Sequence, residues 1–211
     1  MKLSLSILNI DYKNIEKELN EVIEDIDIVH MDVMDGVFVP NLSFGPDVIK
    51  SLRSLTNKTF DTHLMIINPD KYIKNYAQAG SDYITFHLEA SSDPIKTINL
   101  IKSFGKKAGI SIKPNTNVKE LEPYLPYVDL ILIMSVEPGF GGQSFMPSSI
   151  DKLKQLKLWK KENNYDYLLS IDGGINGQTI NSVKEYLDWA VVGSYILCSN
   201  EKKDRAKLIK E

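Results

Sequence analysis

Three segments of the sequence carry histidine or aspartate side chains of the kinds that bind metals and transfer protons. They are residues 30–36 (His-Met-Asp-Val-Met-Asp-Gly), 59–65 (Thr-Phe-Asp-Thr-His-Leu-Met) and 168–174 (Leu-Leu-Ser-Ile-Asp-Gly-Gly). The apolar residues in and before them are typical of buried β-strands. Because side chains alternate between the two faces of a strand, His30 and Asp32 point the same way. The recurrence of this chemistry at three strand ends predicts one shared site.

The elements that must position these side chains alternate along the whole chain. The predicted strands are residues 3–8, 27–32, 59–65, 83–87, 107–112, 128–134, 167–172 and 190–192. The predicted helices are residues 14–24, 46–55, 69–79, 94–104, 118–124, 148–162, 177–186 and 202–211. Eight strand–helix units without a break in composition predict an α/β fold, a single (β/α)8 TIM barrel over residues 1–211. An open doubly wound sheet fits less well, because no glycine-rich turn follows the first strand.

Composition excludes several classes of partner. The 211 residues are 43% hydrophobic, and 25 Lys and Arg against 28 Asp and Glu give a net charge of −3. This balance predicts neither a nucleic acid nor an anionic membrane as partner. The start of the chain is too short and polar for a signal peptide, and no apolar run approaches the length of a membrane span. The lone cysteine, Cys198, is typical of the reducing cytoplasm.

Two histidines and two aspartates predict a metal centre. His30 and His63 fall at the ends of the second and third strands, which are neighbours in a barrel; Asp32 lies beside His30, and Asp172 ends the seventh strand. Such a mixed nitrogen–oxygen set suits Zn, Fe, Mn or Co and is too rich in nitrogen to prefer Mg or Ca. The alternative is that each histidine is a hydrogen-bonded core residue. The convergence of four ligand types favours the metal.

Two other residues at strand ends are less suited to chemistry. His87 ends the fourth strand, but the residues two and four positions before it, Thr85 and Tyr83, are not ligand types. We therefore interpret His87 as a supporting or structural histidine. Lys113 ends the fifth strand, where it could form a Schiff base, but no basic neighbour is present to lower its pKa.

Glycine-rich loops at three adjacent strand ends predict a phosphate site. Their candidate substrate-binding residues are Gly139, Phe140, Gly141, Gly142, Gly173, Gly174, Gly193 and Ser194. Glycines let backbone N–H groups approach an anion closely, and barrels often bind phosphate after strands seven and eight. No Walker-type pattern occurs, which argues against a nucleoside triphosphate.

Together these parts predict a reaction on a sugar phosphate. With its phosphate at the glycine loops, the carbonyl end would reach the metal, which would acidify the neighbouring C–H and stabilise an enediolate. Asp32 and Asp172 come from strands on different sides of the barrel mouth. One carboxylate could remove a proton from one face and the other return a proton to the opposite face, which inverts one carbon.

Five motifs make the chain resemble the ribulose-phosphate 3-epimerase family over essentially its whole length. They are residues 30–36, 39–41 (Val-Pro-Asn), 62–65, 134–143 (Met-Ser-Val-Glu-Pro-Gly-Phe-Gly-Gly-Gln) and 172–175 (Asp-Gly-Gly-Ile). The resemblance implies conversion of D-ribulose 5-phosphate to D-xylulose 5-phosphate in the pentose phosphate pathway. It also implies one divalent metal ion per subunit and a homo-oligomer, either a dimer or a hexamer.

The resemblance also implies residue roles. His30, Asp32, His63 and Asp172 would be the metal ligands, with Asp32 as proton acceptor and Asp172 as proton donor. Ser6 and His63 would contact the substrate, and Met34, Met65 and Met134 would form a thioether wall over the metal. The sequence departs from the family at Leu5, where proline is common, and at Lys113, where asparagine or leucine is frequent.

Three other activities remain possible on the sequence. A sibling 3-epimerase acting on allulose 6-phosphate would share the same site. A lyase of the orotidine- or ketogulonate-phosphate decarboxylase kind resembles the chain in its phosphate loops but carries Asp-x-Lys on the third strand, where this chain has Asp61, Thr62 and His63. A non-catalytic sugar-phosphate-binding protein would not need two opposed carboxylates.

Overall fold

A computed structural model describes all 211 residues, and its eight parallel strands close into a ring. The strands are β1 (Lys2–Ser6), β2 (Ile28–Met34), β3 (Thr59–Met65), β4 (Tyr83–His87), β5 (Lys107–Ile112), β6 (Leu130–Met134), β7 (Leu168–Asp172) and β8 (Trp189–Val192). Each strand pairs with the next in sequence, and β8 pairs with β1. The (β/α)8 barrel predicted from the sequence is therefore confirmed.

Helices connect the strands on the outside of the ring. The α-helices are α1 (Ile15–Asn20), α2 (Pro46–Arg53), α3 (Ile73–Ala79), α4 (Pro94–Ser103), α5 (Ser148–Glu162), α6 (Ser194–Leu197) and α7 (Lys202–Lys210). The 3-10 helices are Tyr12–Asn14, Pro69–Lys71, Leu88–Ala90, Val118–Tyr127, Thr179–Ser182 and Lys184–Tyr186. None of these helices combines the length and the apolar character needed to cross a membrane.

Two of the predicted helices are 3-10 helices and not α-helices. The segment after β5 is a 3-10 helix, Val118–Tyr127, because Pro123 and Pro126 lie inside it and cannot donate the backbone hydrogen bonds of an α-helix. The segment after β7 forms two short 3-10 helices instead of one α-helix. There the side chain of Asn176 accepts hydrogen bonds from the backbone N–H groups of residues 178 and 179, a turn that competes with regular helix.

An apolar floor closes the amino-terminal end of the barrel interior. It consists of inward-pointing side chains from the four even strands, Ile28, Tyr83, Leu130 and Trp189. The floor residues pair with four residues of the odd strands, namely Ser4, Asp61, Gly109 and Ser170. Three of these four are polar, so the barrel interior becomes polar next to the floor. Alternate strands thus contribute alternate layers, as in other barrels of this kind. The site is confined to the carboxyl end.

The outward faces of the strands form the main core with the helices. Residues such as Leu3, Val29, Phe60 and Ile110 are fully buried there. Full burial of one such side chain contributes about 1.5–3 kcal/mol. Because the strands are buried on both faces, they appear in the sequence as nearly continuous apolar runs interrupted only by site residues.

Four aspartates join neighbouring strands at the end of the barrel opposite the site; we call them the aspartate clamp. Asp27, Asp82, Asp129 and Asp188 each directly precede an even strand. Their carboxylates accept backbone hydrogen bonds of 2.8–2.9 Å from Leu3, Phe60, Ala108 and Leu169 on the preceding odd strands. Each also lies within 3.3 Å of a Lys or Arg nitrogen. The clamp satisfies N–H groups where the strands begin.

Candidate metal centre and active site

The four predicted ligands meet at the carboxyl end of the barrel. Nitrogen and oxygen atoms of His30, Asp32, His63 and Asp172 all lie within 4.8 Å of one another. Asp32 Oδ1 is 3.2 Å from His30 Nε2 and 3.1 Å from His63 Nδ1. Asp172 Oδ2 is 4.0 Å and 3.9 Å from the same two nitrogens.

Strand register explains how residues distant in sequence come together. Asp32 pairs directly with His63 across β2 and β3, and His30 pairs with Asp61 one step below. Asp172 ends β7, which is separated from β2 by β8 and β1 in the closed ring. The two carboxylates therefore approach the cluster from different directions, and only the closed ring brings them together.

The cluster fits a divalent cation. Two imidazole nitrogens and two carboxylate oxygens form a donor set suited to Zn, Fe, Mn or Co. Buried carboxylates need a positive partner, because an unpaired buried charge is costly. The residues around the cavity described below include no lysine or arginine, so neither type of side chain supplies this charge.

The two carboxylates differ in proton affinity. Burial raises the pKa of Asp32, but the neighbouring rings of His30 and His63 outweigh burial and hold the pKa well below its usual range. For Asp172, burial and the negative charge of Asp32 together raise the pKa to about 6. For His30, burial lowers the pKa, but Asp32 and Asp61 outweigh burial and raise it well above its usual value. Asp32 is therefore the more readily ionised member of the carboxylate pair, and Asp172 is the more readily protonated one.

Asp61 supports the cluster from below and was given no role by the sequence analysis. Its Oδ2 lies 2.9 Å from Nδ1 of His30, and its Oδ1 accepts a 3.2 Å hydrogen bond from Thr85 Oγ1. Asp61 is fully buried. The sequence contains one indication of this position: Asp61 and His63 are two residues apart on β3, so their side chains must share a face.

His87 contacts His63, one of the four predicted ligands, without joining that set. Its Nε2 lies 2.9 Å from Nε2 of His63, and its Nδ1 lies 3.3 Å from Glu89 Oε2. Burial lowers the pKa of His87 to about 4, against the opposing effect of Glu89. Burial also raises the pKa of Glu89, but hydrogen bonds from His87 and Thr116 outweigh it and lower the pKa to about 2. The pair is therefore a neutral imidazole beside a carboxylate.

A cavity of about 230 Å³ opens above the cluster. Asp32 and Asp172 line it, together with the predicted methionines Met34, Met65 and Met134. Ser6 also lines it and donates a 2.7 Å hydrogen bond to Asp32 Oδ2. His63, predicted to contact the substrate as well as the metal, is fully buried and does not line the cavity.

The predicted phosphate loops line the same cavity, which gains its shape from close backbone packing. Its walls include Gly139, Phe140, Gly141, Gly142, Gly173, Gly174, Gly193 and Ser194. Gly173 has φ +119°, and a Cβ atom there would lie 2.5 Å from Cγ2 of Val136. A Cβ atom on Gly174, at φ +66°, would lie 2.4 Å from the backbone N of Phe145. Only glycine lets the loops after β6 and β7 approach this closely.

The loop after β2 extends across the mouth. Asp35 accepts 2.8 Å hydrogen bonds from the backbone of Val37 and Phe38 with one oxygen, and from Ile67 with the other. Asn41 donates a 2.7 Å hydrogen bond to the carbonyl of Gly139 in the loop after β6. The sequence analysis recognised residues 39–41 as a motif without a physical role. In the structure this motif connects the loops after β2 and β6.

Comparisons with known proteins agree with this arrangement. The sequence model of the Ribulose-phosphate 3 epimerase family matches residues 2–197. Ribulose-phosphate 3-epimerase of Synechocystis sp. is 45% identical over 81% of this chain and 75% of its own length. That of Bacillus subtilis is 40% identical over 96% of this chain and 95% of its own length.

A solved structure shows how widely the fold itself is shared. The 3-keto-L-gulonate-6-phosphate decarboxylase of Vibrio cholerae superimposes with a TM-score of 0.73 at 15% identity, over 99% of this chain and 95% of its own. At that identity the likeness shows the fold alone. The sequence matches show more than the fold: the family model spans the cluster and the glycine loops, and the Bacillus subtilis relative is 40% identical over nearly the whole chain. The chain belongs to the ribulose-phosphate 3-epimerase family.

Proposed function

We propose that this protein catalyses the reversible inversion at C3 that interconverts D-ribulose 5-phosphate and D-xylulose 5-phosphate through an enediolate. The observation that carries this proposal is the meeting of two carboxylates, from β2 and β7, beside two imidazoles on the wall of one cavity. Inversion of a carbon bearing an acidic C–H needs a proton carrier on each face of a planar intermediate. The relatives described above, which are named ribulose-phosphate 3-epimerase and share 45% and 40% of their aligned residues with this chain, support the same activity.

In this proposal His30, Asp32, His63 and Asp172 hold one divalent ion per subunit, which we expect to be Zn, Fe, Mn or Co. When bound, the ion supplies Lewis acidity that makes the C3 proton easier to remove and stabilises the enediolate charge.

Asp32 takes the C3 proton of ribulose 5-phosphate, and Asp172 returns a proton to the opposite face. The lowered pKa of Asp32 keeps this carboxylate ionised and able to accept a proton, and the raised pKa of Asp172, about 6, makes it the more readily protonated of the two. The hydroxyl of Ser6 holds the second oxygen of Asp32 in place. In the reverse direction the two aspartates exchange roles.

The glycine loops after β6, β7 and β8 bind the phosphate through backbone N–H groups. This follows from the absence of lysine and arginine around the cavity, which leaves backbone donors as its main positive groups. On the other side, the three methionine side chains exclude water from the reacting carbons. Such exclusion strengthens electrostatic interactions in the site and protects the enediolate.

The experiment that tests the proposal pairs metal analysis with a turnover assay. Purified protein should contain close to one divalent ion per chain, lose turnover of ribulose 5-phosphate on chelation, and regain it with one of the four metals. In D2O, deuterium should enter C3 of both pentulose phosphates.

A protein that binds ribulose 5-phosphate without exchange would instead be a binding protein, and faster turnover of allulose 6-phosphate would assign the sibling epimerase. Release of CO2 from a phosphorylated keto acid would point to a lyase.

We further propose that the chain acts in the pentose phosphate pathway, in the cytoplasm, as a dimer or hexamer. The exposed lone Cys198 suits a reducing compartment. Apolar side chains exposed around the mouth, including Val37, Leu42 and Phe140, are a surface that self-association would cover. Sedimentation velocity would measure the subunit number, and a single monomer peak at micromolar concentration would contradict assembly.

A further inference from the structure

We propose that His87 and Glu89 are positioning residues that fix which nitrogen of His63 faces the metal. This inference rests on the proposed metal centre and goes beyond it, because neither residue is a ligand or lines the cavity. A ligand histidine must present a nitrogen without a proton, so something must hold the ring proton on the other nitrogen.

The two residues form a continuous chain of contacts behind His63. Nδ1 of His63 faces Asp32, while its Nε2 lies 2.9 Å from Nε2 of His87. On the far side of the His87 ring, Nδ1 lies 3.3 Å from Oε2 of Glu89. Both histidines are fully buried, so water does not compete for these nitrogens.

The direction of the proton donors along this chain is set at Glu89. An ionised carboxylate only accepts hydrogen bonds, so Nδ1 of His87 must carry the proton and donate it. The 2.9 Å contact between the two Nε2 atoms needs one donor and one acceptor. With the His87 proton on Nδ1, its Nε2 is the acceptor and Nε2–H of His63 is the donor. With its proton held on Nε2, His63 has Nδ1 left for the metal.

Glu89 is itself held in place by the loop after β5. Its other oxygen, Oε1, accepts a 2.8 Å hydrogen bond from the backbone N–H of Lys113 and another from the hydroxyl of Thr116. The ammonium group of Lys152 donates to the backbone carbonyls of Lys113, Pro114 and Thr116, at 3.1, 2.6 and 2.8 Å. The carboxylate therefore has one oxygen anchored and the other directed at His87.

The second ligand histidine is oriented by a shorter route, which supports the same interpretation. Nδ1 of His30 lies 2.9 Å from the carboxylate of Asp61, and its Nε2 faces Asp32 and Asp172. Each ligand ring thus has a carboxylate behind it, directly for His30 and through His87 for His63. Consequently His30 presents Nε2 to the metal, whereas His63 presents Nδ1.

Glu89→Gln tests the direction of donation with little change of shape. The backbone N–H of Lys113 requires an acceptor, so the amide oxygen is expected at the Oε1 position and the NH2 group at His87. His87 Nδ1 must then accept, its proton moves to Nε2, and Nε2 of His63 becomes the acceptor. His63 is left with its proton on the nitrogen that should face the metal.

The expected result is a dissociation constant for Zn²⁺ or Co²⁺ that is about 10–100-fold higher than that of the wild type. Affinity is measured by competition with a chromophoric chelator, without substrate. Glu120→Gln is the matched control: it makes the same change in the neighbouring 3-10 helix, where Glu120 accepts a 3.3 Å hydrogen bond from the backbone of Asn117. Its metal affinity should stay within about twofold of the wild type.

A second readout reports the proton positions themselves. The chain has only three histidines, all in this region, so the nitrogen NMR spectrum of the Zn²⁺-loaded protein contains six ring signals. In the wild type, Nδ1 of His87 and Nε2 of His63 should carry protons; in Glu89→Gln the His87 proton should move to Nε2. If Glu89→Gln does not fold, the proton positions in the wild-type spectrum alone test the inference.

Two results would overturn this inference while leaving the proposed function standing. One is equal metal affinity for Glu89→Gln and Glu120→Gln; the other is a wild-type His87 with its proton on Nε2. A wild-type chain that binds no divalent ion would remove the proposed function and this inference together.

Discussion

At the scale of single residues, identical side chains differ in chemistry because their neighbours differ. Asp32 lies between two imidazole rings and has a strongly lowered pKa, whereas Asp172 lies 3.9 Å or more from both rings and has a raised one. Asp61, a third carboxylate, is fully buried and contacts His30 from the side away from the cavity. The proposed division into base, acid and support is based on these positions.

The two-carboxylate scheme predicts that Asp172→Asn separates proton exchange from inversion. The variant keeps Asp32, so in D2O it should still exchange the C3 proton of ribulose 5-phosphate. It lacks the proton carrier on the other face, so formation of xylulose 5-phosphate should fall by roughly 10²–10⁴-fold. NMR of the C3 position measures exchange, and a coupled assay measures inversion.

Asp166→Asn, the same change at an exposed position just before β7, is the control and should leave both rates unchanged. Inversion near the wild-type rate in Asp172→Asn would contradict the scheme.

At the scale of elements, the two ends of the strands have separate tasks. The carboxyl ends of β2, β3 and β7 carry the proposed metal ligands, and the amino ends carry the aspartate clamp. The clamp recurs before every even strand, a regularity that the sequence shows as an aspartate followed by an apolar residue at positions 27, 82, 129 and 188. We therefore expect that substitutions in the clamp change stability without changing the chemistry of the site.

Removing one member of the clamp should destabilise the fold without affecting turnover. Asp129→Ala leaves the backbone N–H of Ala108 without its acceptor, which costs about 1–3 kcal/mol of unfolding free energy. Asp129→Asn keeps an acceptor oxygen and should cost less. Urea denaturation measures the difference, and the turnover number should match that of the wild type. Equal stability of Asp129→Ala and wild type would show that the clamp contributes nothing.

The clamp also predicts a dependence of stability on pH. Burial raises the pKa of Asp27, but the Leu3 N–H and the ammonium of Lys210, 3.0 Å away, outweigh burial and lower it. A lowered pKa in the folded state means that the stabilisation is present above about pH 4 and is lost as the pH falls further.

The expected result is that Asp27→Asn is less stable than wild type at pH 7 and that the difference narrows near pH 3. Urea denaturation at the two pH values measures it. A difference that stays constant across this range would contradict the assignment.

At the scale of the whole molecule, the ion is expected to stabilise the closed barrel, because its four ligands come from β2, β3 and β7. An ion at 100 times its dissociation constant adds about 2.7 kcal/mol, which for a chain of this size raises Tm by roughly 5–10 °C. Thermal melts of chelator-treated protein, with and without added Zn²⁺ or Co²⁺, measure the shift.

Mg²⁺ and Ca²⁺ are the control ions and should shift Tm much less, since the ligand set is half nitrogen. Equal shifts for all ions would contradict a specific nitrogen–oxygen site. The same melts test the prediction that residues 1–211 form one domain, which requires a single cooperative transition.

Local patterns in the sequence were sufficient to predict the strand order and most of the cluster. Alternation along β2 placed His30 and Asp32 on one face, and glycines marked the loops that line the cavity, because both effects depend only on neighbouring residues. They did not specify that the helix after β5 is a 3-10 helix, a type that its two internal prolines favour.

Only the tertiary structure decided which side chains meet. The pairing of β8 with β1 brings Asp172 to the proposed ligands of β2 and β3, the register of β2 on β3 places Asp61 behind His30, and β4 brings His87 to His63. These contacts join residues 24 or more positions apart, so no local preference could specify them. Closure of the ring determines them, because the position of each strand depends on all the others.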